Sequence, residues 1–195
     1  MNGLINRSIQ CFLRDGWGAG VWEDTARAAG VSVQGFEPLL PYPAEVTDRL
    51  LAAAATRLDR DRGCLLEDLG TYLVSHPARA GVRRLLRFGG SDYRDFLCSL
   101  EDLPARARLA LPDLVLPDLR LREAARGRFR LEIGPGMPGL AEVALGLLRA
   151  MADDYGALVT LGLARRGKDG AGAVTIRLLD QAHGAGRAFS LGRAE

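Results

Sequence analysis

Residues 128–164 read RFRLEIGPGMPGLAEVALGLLRAMADDYGALVTLGLA, and this stretch decides the fold. It begins by alternating: Phe129, Leu131 and Ile133 fall on one side, Arg128, Arg130 and Glu132 on the other. Period two is a strand with one apolar face. After the Gly/Pro-rich residues 134–139 the period changes. Leu140, Val143, Ala144, Leu147, Leu148 and Met151 recur at helical spacing, which predicts a helix with one apolar stripe. Residues 159–164 return to a strand pattern. A polar turn over 165–172 leads to a further predicted strand at 173–179. Upstream, Leu119 and Leu121 alternate with polar residues and predict one more strand.

The first half carries a different signal. Ile5, Ile9, Phe12 and Leu13 lie at helical spacing, and Gly16, Gly18 and Gly20 end that run. Val21, Trp22, Ala26 and Ala29 predict a second helix, stopped by Gly30. Pro41 and Pro43 mark a loop. Val46, Leu50, Leu51 and Ala54 line a third helix, with Gly63 expected to interrupt. Leu65, Leu66, Leu69, Tyr72 and Leu73 form the next, ending before Pro77. Val82, Leu85 and Leu86 make a short helix closed by Gly89 and Gly90. Ser91 is the expected N-cap of a helix bearing Phe96, Leu97, Leu100 and Leu103. Pro104 should kink or stop it near Leu103, since an interior proline removes a donor and clashes with the preceding turn. Residues 109–112 and 114–117 read as extended. Helices followed by strands around one helix give an α+β fold.

Composition excludes several functions. The chain has 195 residues, 48% hydrophobic and 26% charged, enough apolar material for a core. No stretch approaches the roughly 20 apolar residues of a membrane span, and the N-terminus lacks the pattern of a signal peptide. A cytoplasmic location is expected. The net charge is +2, and Lys168 is the only lysine. The arginines are scattered among acids and do not gather with aromatics, so nucleic-acid binding is not expected. Residues 57–62 alternate in sign, as a solvated helix end does. Cys11, Cys64 and Cys98 are far apart and form no metal or redox motif; they are expected to be buried or partly buried thiols.

Candidate chemistry is sparse. His76 and His183 are the only histidines, so no paired-histidine metal motif exists. His76 sits at a helix end, where a cation complements the dipole. Gly134 and Gly139 fit GxxxxG between a strand and a helix, but Leu140 and Ala141 occupy the Lys and Ser/Thr positions of a phosphate loop. A plain connection is expected. No catalytic arrangement is legible, and no enzyme is expected.

Several segments together resemble one family. MNGLINRSIQCFLRDGWGAGVWEDTARAAGV (residues 1–31) resembles the start of H-NOX domains, the haem nitric oxide/oxygen-binding family. The resemblance continues through PYPAEVTDRLLAAAA (41–55), LLEDLGTYLV (65–74), DYRDFLCSLEDLPARARLALPDLVLP (92–117) and GLAEVALGLLRAMADDYG (139–156). It implies the H-NOX fold: a helical N-terminal part, then a four-stranded antiparallel sheet with a long helix. It also implies a sensor domain over residues 1–181; residues 182–195, small and polar, are expected to form a flexible C-terminal tail.

The resemblance implies a haem site as well. The family's iron-ligating histidine falls at Pro104, which has no side-chain donor. A Tyr-x-Ser-x-Arg motif that holds the haem propionates falls at Ile133, Pro135 and Met137, where all three polar contacts are missing. Ile5 matches an apolar residue packed on the porphyrin, and Pro117 a proline pressing on it. Val74 and His76 lie in or beside the distal wall. Leu97, Leu100, Val143 and Leu147 complete the matching pocket positions. The expected role is a stand-alone signalling domain that does not hold haem in the family manner. It would take another apolar ligand, or none, and act on a histidine kinase or a cyclic-nucleotide enzyme. The alternative is a gas sensor with a non-standard iron ligand, for which His76 is the best candidate.

Overall fold

Helical spacing in the first half becomes α1 (Gly3–Trp17), α2 (Ala19–Ala29) and α3 (Ala44–Leu58) in a computed structural model that describes residues 3–166 and 169–189. The chain divides into two compact units, residues 1–65 and 66–195, with the boundary inside α4 (Arg62–Ser75). In the first unit Ile9, Phe12 and Leu13 of α1, Trp22 and Ala26 of α2, and Leu50 and Ala54 of α3 are buried. Two polar contacts are enclosed with them. The Thr47 hydroxyl donates to Asn6 Oδ1 at 2.7 Å, and the Trp22 indole N–H donates to the Val33 carbonyl at 2.7 Å.

Gly63 does not interrupt the helices as expected. Asp59 ends α3 in the left-handed region, at φ 50°, which Asp tolerates better than most residues. The Asp61 carboxylate then accepts from the N–H groups of Gly63 and Cys64, so Gly63 lies in the first turn of α4.

In the second unit α4 ends at Ser75, before Pro77, as expected. A 3₁₀ turn (Pro77–Arg79) leads into α5 (Ala80–Arg87). The next helix, α6 (Tyr93–Cys98), is capped by Asp92 and not by Ser91: the Asp92 carboxylate accepts from the Asp95 N–H at 2.8 Å. Ser91 instead donates to the Asp95 carboxylate. A 3₁₀ turn (Ser99–Asp102) follows, then α7 (Leu103–Ala110). Leu109 and Ala110 are therefore helical, not extended. Cys11 is half-buried, as expected, whereas Cys64 and Cys98 are exposed and not buried.

Four antiparallel strands complete the unit: β1 (Leu119–Ala125), β2 (Arg128–Ile133), β3 (Leu158–Arg166) and β4 (Gly172–Asp180), in spatial order β1-β2-β4-β3. Between β2 and β3 runs α8 (Leu140–Tyr155), which packs on β3 and β4. The expected α+β class and the H-NOX-like order of helices, sheet and long helix hold. One sheet face carries Phe129, Leu131, Ile133, Val174 and Ile176, all buried.

Two glycines set the position of α8. A Cβ on Gly146 would lie 1.8 Å from the Glu67 carbonyl, and one on Gly70 would lie 2.0 Å from the Val143 carbonyl. Only glycine lets these two backbones approach so closely. The Thr71 hydroxyl, shared between Glu67 O and Gly146 O, ties the crossing further.

Residues 182–189 have no regular secondary structure, but the chain touches the body there. The Gly184 N–H donates to Gly156 O at 3.0 Å, and the Arg187 N–H donates to Asp154 O at 2.9 Å. The remainder of the sequence-expected tail, 190–195, lies outside the described residues, as do 167 and 168 of the β3–β4 turn. Among the described residues no helix is long and apolar enough to cross a membrane.

Candidate functional site

The helix expected to kink or stop near Leu103 does break, giving way at Ser99–Asp102 to a 3₁₀ turn, and Pro104 belongs to the helix that follows. The proline stands in the first turn of α7, where its missing N–H would have had no intrahelical partner. The helical run through residues 93–110 therefore continues with a change of pitch at Ser99–Asp102. Arg106 braces that change, donating to the Ser99 carbonyl at 2.9 Å. The Pro104 ring is buried.

Beside this run lies an apolar cavity of about 60 Å³. Leu100 and Leu103 come from the helical run, Leu116 and Leu119 from the chain entering the sheet, and Leu131 from β2. Leu140, Val143, Ala144, Leu147 and Leu148 come from one side of α8. Every lining side chain is Leu, Val or Ala. Pockets for drug-sized ligands run to about 300–1,000 Å³. This one has room for a few heavy atoms, and its wall offers nothing to hold a water.

The sequence-predicted residues disperse around this feature. Leu100, Val143 and Leu147 line it. Leu97 is fully buried in the core of the same unit, as are Val74 and Ile133. Pro117 is half-buried beside Leu116, Pro135 is exposed, and Met137 is half-buried in the loop before α8. His76 precedes the 3₁₀ turn, half-buried, its ring 4.8 Å from that of Tyr72. It directly follows α4, its N–H donating to the Tyr72 carbonyl at 3.1 Å, which sets it at the C-terminal end of that helix. Ile5 lies on α1 in the first unit, half-buried. Sequence reading missed Leu103, Leu116, Leu119, Leu131, Leu140, Ala144 and Leu148 as wall residues. For Leu140, Ala144 and Leu148 the signal was present, since they repeat every fourth residue on the stripe that carries Val143 and Leu147.

The site has no reacting group. Among the described residues no set of three His, Cys, Asp or Glu side chains is gathered as a metal would require. The Tyr93 hydroxyl donates to the carbonyl of the wall residue Leu148 at 3.0 Å. Burial, helped by the charge of Asp153, pushes the Tyr93 phenol far above its ordinary value. Burial also raises Tyr155, against the pull of Arg87, whose guanidinium lies 4.0 Å from that ring centre. Residues 134–139 form a connecting loop into α8, as expected.

Haem needs an axial donor and partners for two carboxylates. The residues present do not fit it: the cavity wall is wholly aliphatic, and Pro104, Ile133, Pro135 and Met137 supply no imidazole, hydroxyl or guanidinium.

Comparison with known proteins gives a consistent picture. The Haem-NO-binding family model matches residues 2–162. "Soluble guanylate cyclase 89Db" of Drosophila melanogaster is 19% identical over 155 residues, 80% of this chain and 23% of that protein. "Guanylate cyclase soluble subunit beta-2" of Rattus norvegicus is 26% identical over 91 residues, 47% of this chain and 13% of that one. The chain thus spans less than a quarter of either relative. Among solved structures, an H-NOX mutant of T. tengcongensis superposes with a TM-score of 0.76 at 17% identity, covering 93% of this chain and 99% of that one. An unliganded Fe(II) H-NOX mutant from K. algicida gives 0.78 at 17% identity, covering 92% and 97%.

Proposed function

The chain belongs to the haem-NO-binding family, and from that premise we propose that it is an H-NOX-type sensor or regulatory domain that does not hold haem in the family manner and acts through a signalling partner. The observation that carries this reading is the cavity: about 60 Å³, walled only by aliphatic side chains, beside a helix whose buried Pro104 has no donor atom. By the family resemblance, the positions of Ile133, Pro135 and Met137 belong with Pro104 to one haem site, though none of the four lines this cavity. Four departures in one site point to a changed or abandoned cofactor. The two relatives are named as soluble guanylate cyclases. A cyclic-nucleotide enzyme or a histidine kinase is accordingly the class of partner, in the cytoplasm. Any ligand of the cavity is small and apolar, and the domain is not itself an enzyme.

Haemin titration of the purified protein tests the reading. Only broad, non-saturating absorption is expected. A sharp Soret band at one equivalent, lost in His76→Ala, would replace it with a haem sensor that uses His76 as iron ligand.

A further inference from the structure

The sheet has a second face, opposite the buried one. Register places Arg128 directly across from Arg177, with Thr160 next in the row. The neighbouring row reads Arg122, Arg130, Thr175 and Gly162. Two arginine pairs thus oppose each other on adjacent strands, an arrangement that like charges make unfavourable. Glu132 relieves one, lying 3.1 Å from Arg122 and 3.8 Å from Arg130. Among the described residues Arg128 and Arg177 form no ion pair with a carboxylate.

What sets this face apart is that arginine stands directly opposite arginine, at Arg122 and Arg130 and at Arg128 and Arg177. Several other exposed arginines have acids beside them: Arg27 meets Glu23 and Asp24, Arg57 meets Asp24, Arg62 meets Asp48, and Arg94 meets Glu123. A local conflict without local compensation is what functional or strained sites show.

The face is also concave. A groove of about 420 Å³ is lined by Arg128, Arg130 and Arg177, with Thr160, Thr175 and Gly162 among its other walls. A Cβ on Gly162 would meet nothing closer than the Thr175 hydroxyl at 3.4 Å, so glycine here leaves the groove deeper. Among the described residues no carboxylate lines it, and three guanidiniums repel a cation. Phe129 belongs to the lining but is only 3% exposed, so no aromatic face is offered to a base.

We propose that this groove binds a soluble polyphosphate, an anion with two or more adjacent phosphate groups. Guanidinium forks match phosphate oxygens in geometry and charge. Bound phosphate would also supply the counter-charge that Arg128 and Arg177 lack. The site is independent of the haem question.

Isothermal titration of the full chain with inorganic tripolyphosphate tests it, with orthophosphate and a nucleoside triphosphate as parallel arms. Saturable binding of tripolyphosphate is expected, at least tenfold tighter than orthophosphate and weakening with salt. The nucleoside triphosphate should bind no tighter, because only the phosphate chain is read. Arg177→Glu sets a carboxylate across from Arg128; it should abolish binding while holding or raising Tm. Gly162→Val, which fills the groove without altering charge, should weaken binding at least tenfold. Arg57→Gln, remote in sequence and already paired, should leave it unchanged. Absence of saturation, equal binding by both groove variants, or binding that requires the base would overturn the proposal. Tighter binding of polyglutamate than of tripolyphosphate would overturn it in favour of an acidic protein partner.

Discussion

The Arg83 Nε donates to Asp154 Oδ1 at 2.7 Å, and Asp154 is 1% exposed at the end of α8. Arg87 adds a longer ion pair at 3.6 Å, its guanidinium also covering the Tyr155 ring. Arg83 reaches the Ala188 carbonyl at 3.0 Å, so one buried carboxylate organises α5, α8 and the chain after β4. Asp154→Ala should leave two largely buried guanidiniums uncompensated. A loss of about 3 kcal/mol is expected by urea unfolding. A loss below about 1 kcal/mol, the value of a surface pair, would mean that water already screens the cluster.

Stability should fall at alkaline pH. Tyr93 and Tyr155 both hold their protons more tightly folded than unfolded. Between the ordinary tyrosine value near 10 and the raised folded values, the unfolded chain binds fewer protons. Stability is therefore complete below pH of about 10 and declines above it. Urea midpoints compared at neutral and alkaline pH would measure this. Tyr93→Phe should lower the neutral midpoint, by loss of the bond to Leu148 O, yet flatten the alkaline decline. An unchanged alkaline slope in that variant would refute the assignment to Tyr93.

The cavity makes a packing prediction. Ala144→Val adds two methyl groups toward the void and should raise stability by up to about 1 kcal/mol, the burial gain of about 0.8 kcal/mol per methyl group less a β-branched helix cost. Leu148→Ala enlarges the void and should cost about 2–5 kcal/mol. Thermal unfolding of both variants checks the sign. Destabilisation by Ala144→Val beyond about 1 kcal/mol would mean that the space is already filled.

Pro104→His alone should not create a stable haem protein. The position is in the first turn of α7, where histidine is accommodated without breaking the helix. The polar contacts at Ile133, Pro135 and Met137 remain absent. Tight stoichiometric haemin uptake by this single variant would show those contacts to be dispensable.

Element type was legible because both periods were clear. The stripe of α8 and the alternation of β2 read directly as a helix and a strand. Errors arose where short polar residues compete. Asp59 and Asp61, not Gly63, part α3 from α4, and Asp92 caps where Ser91 was expected, because several neighbouring side chains were chemically able to cap. Pro104 signalled a break but not its place: the α-helix already gives way at Ser99, into a 3₁₀ segment that has no sequence signature. The cavity was only partly legible: its wall joins residues distant in sequence, and a void is set by how those side chains fill space. The opposed pair Arg128 and Arg177 was invisible for a related reason. β2 and β4 pair across the whole of α8 and β3, so their register is fixed by tertiary packing.

The absorption spectrum of the protein purified from haem-replete cells tests the central claim most directly. The account predicts a protein band without a stoichiometric Soret band, in the wild type and in His76→Ala alike. A sharp Soret band at one haem per chain in the wild type would contradict it.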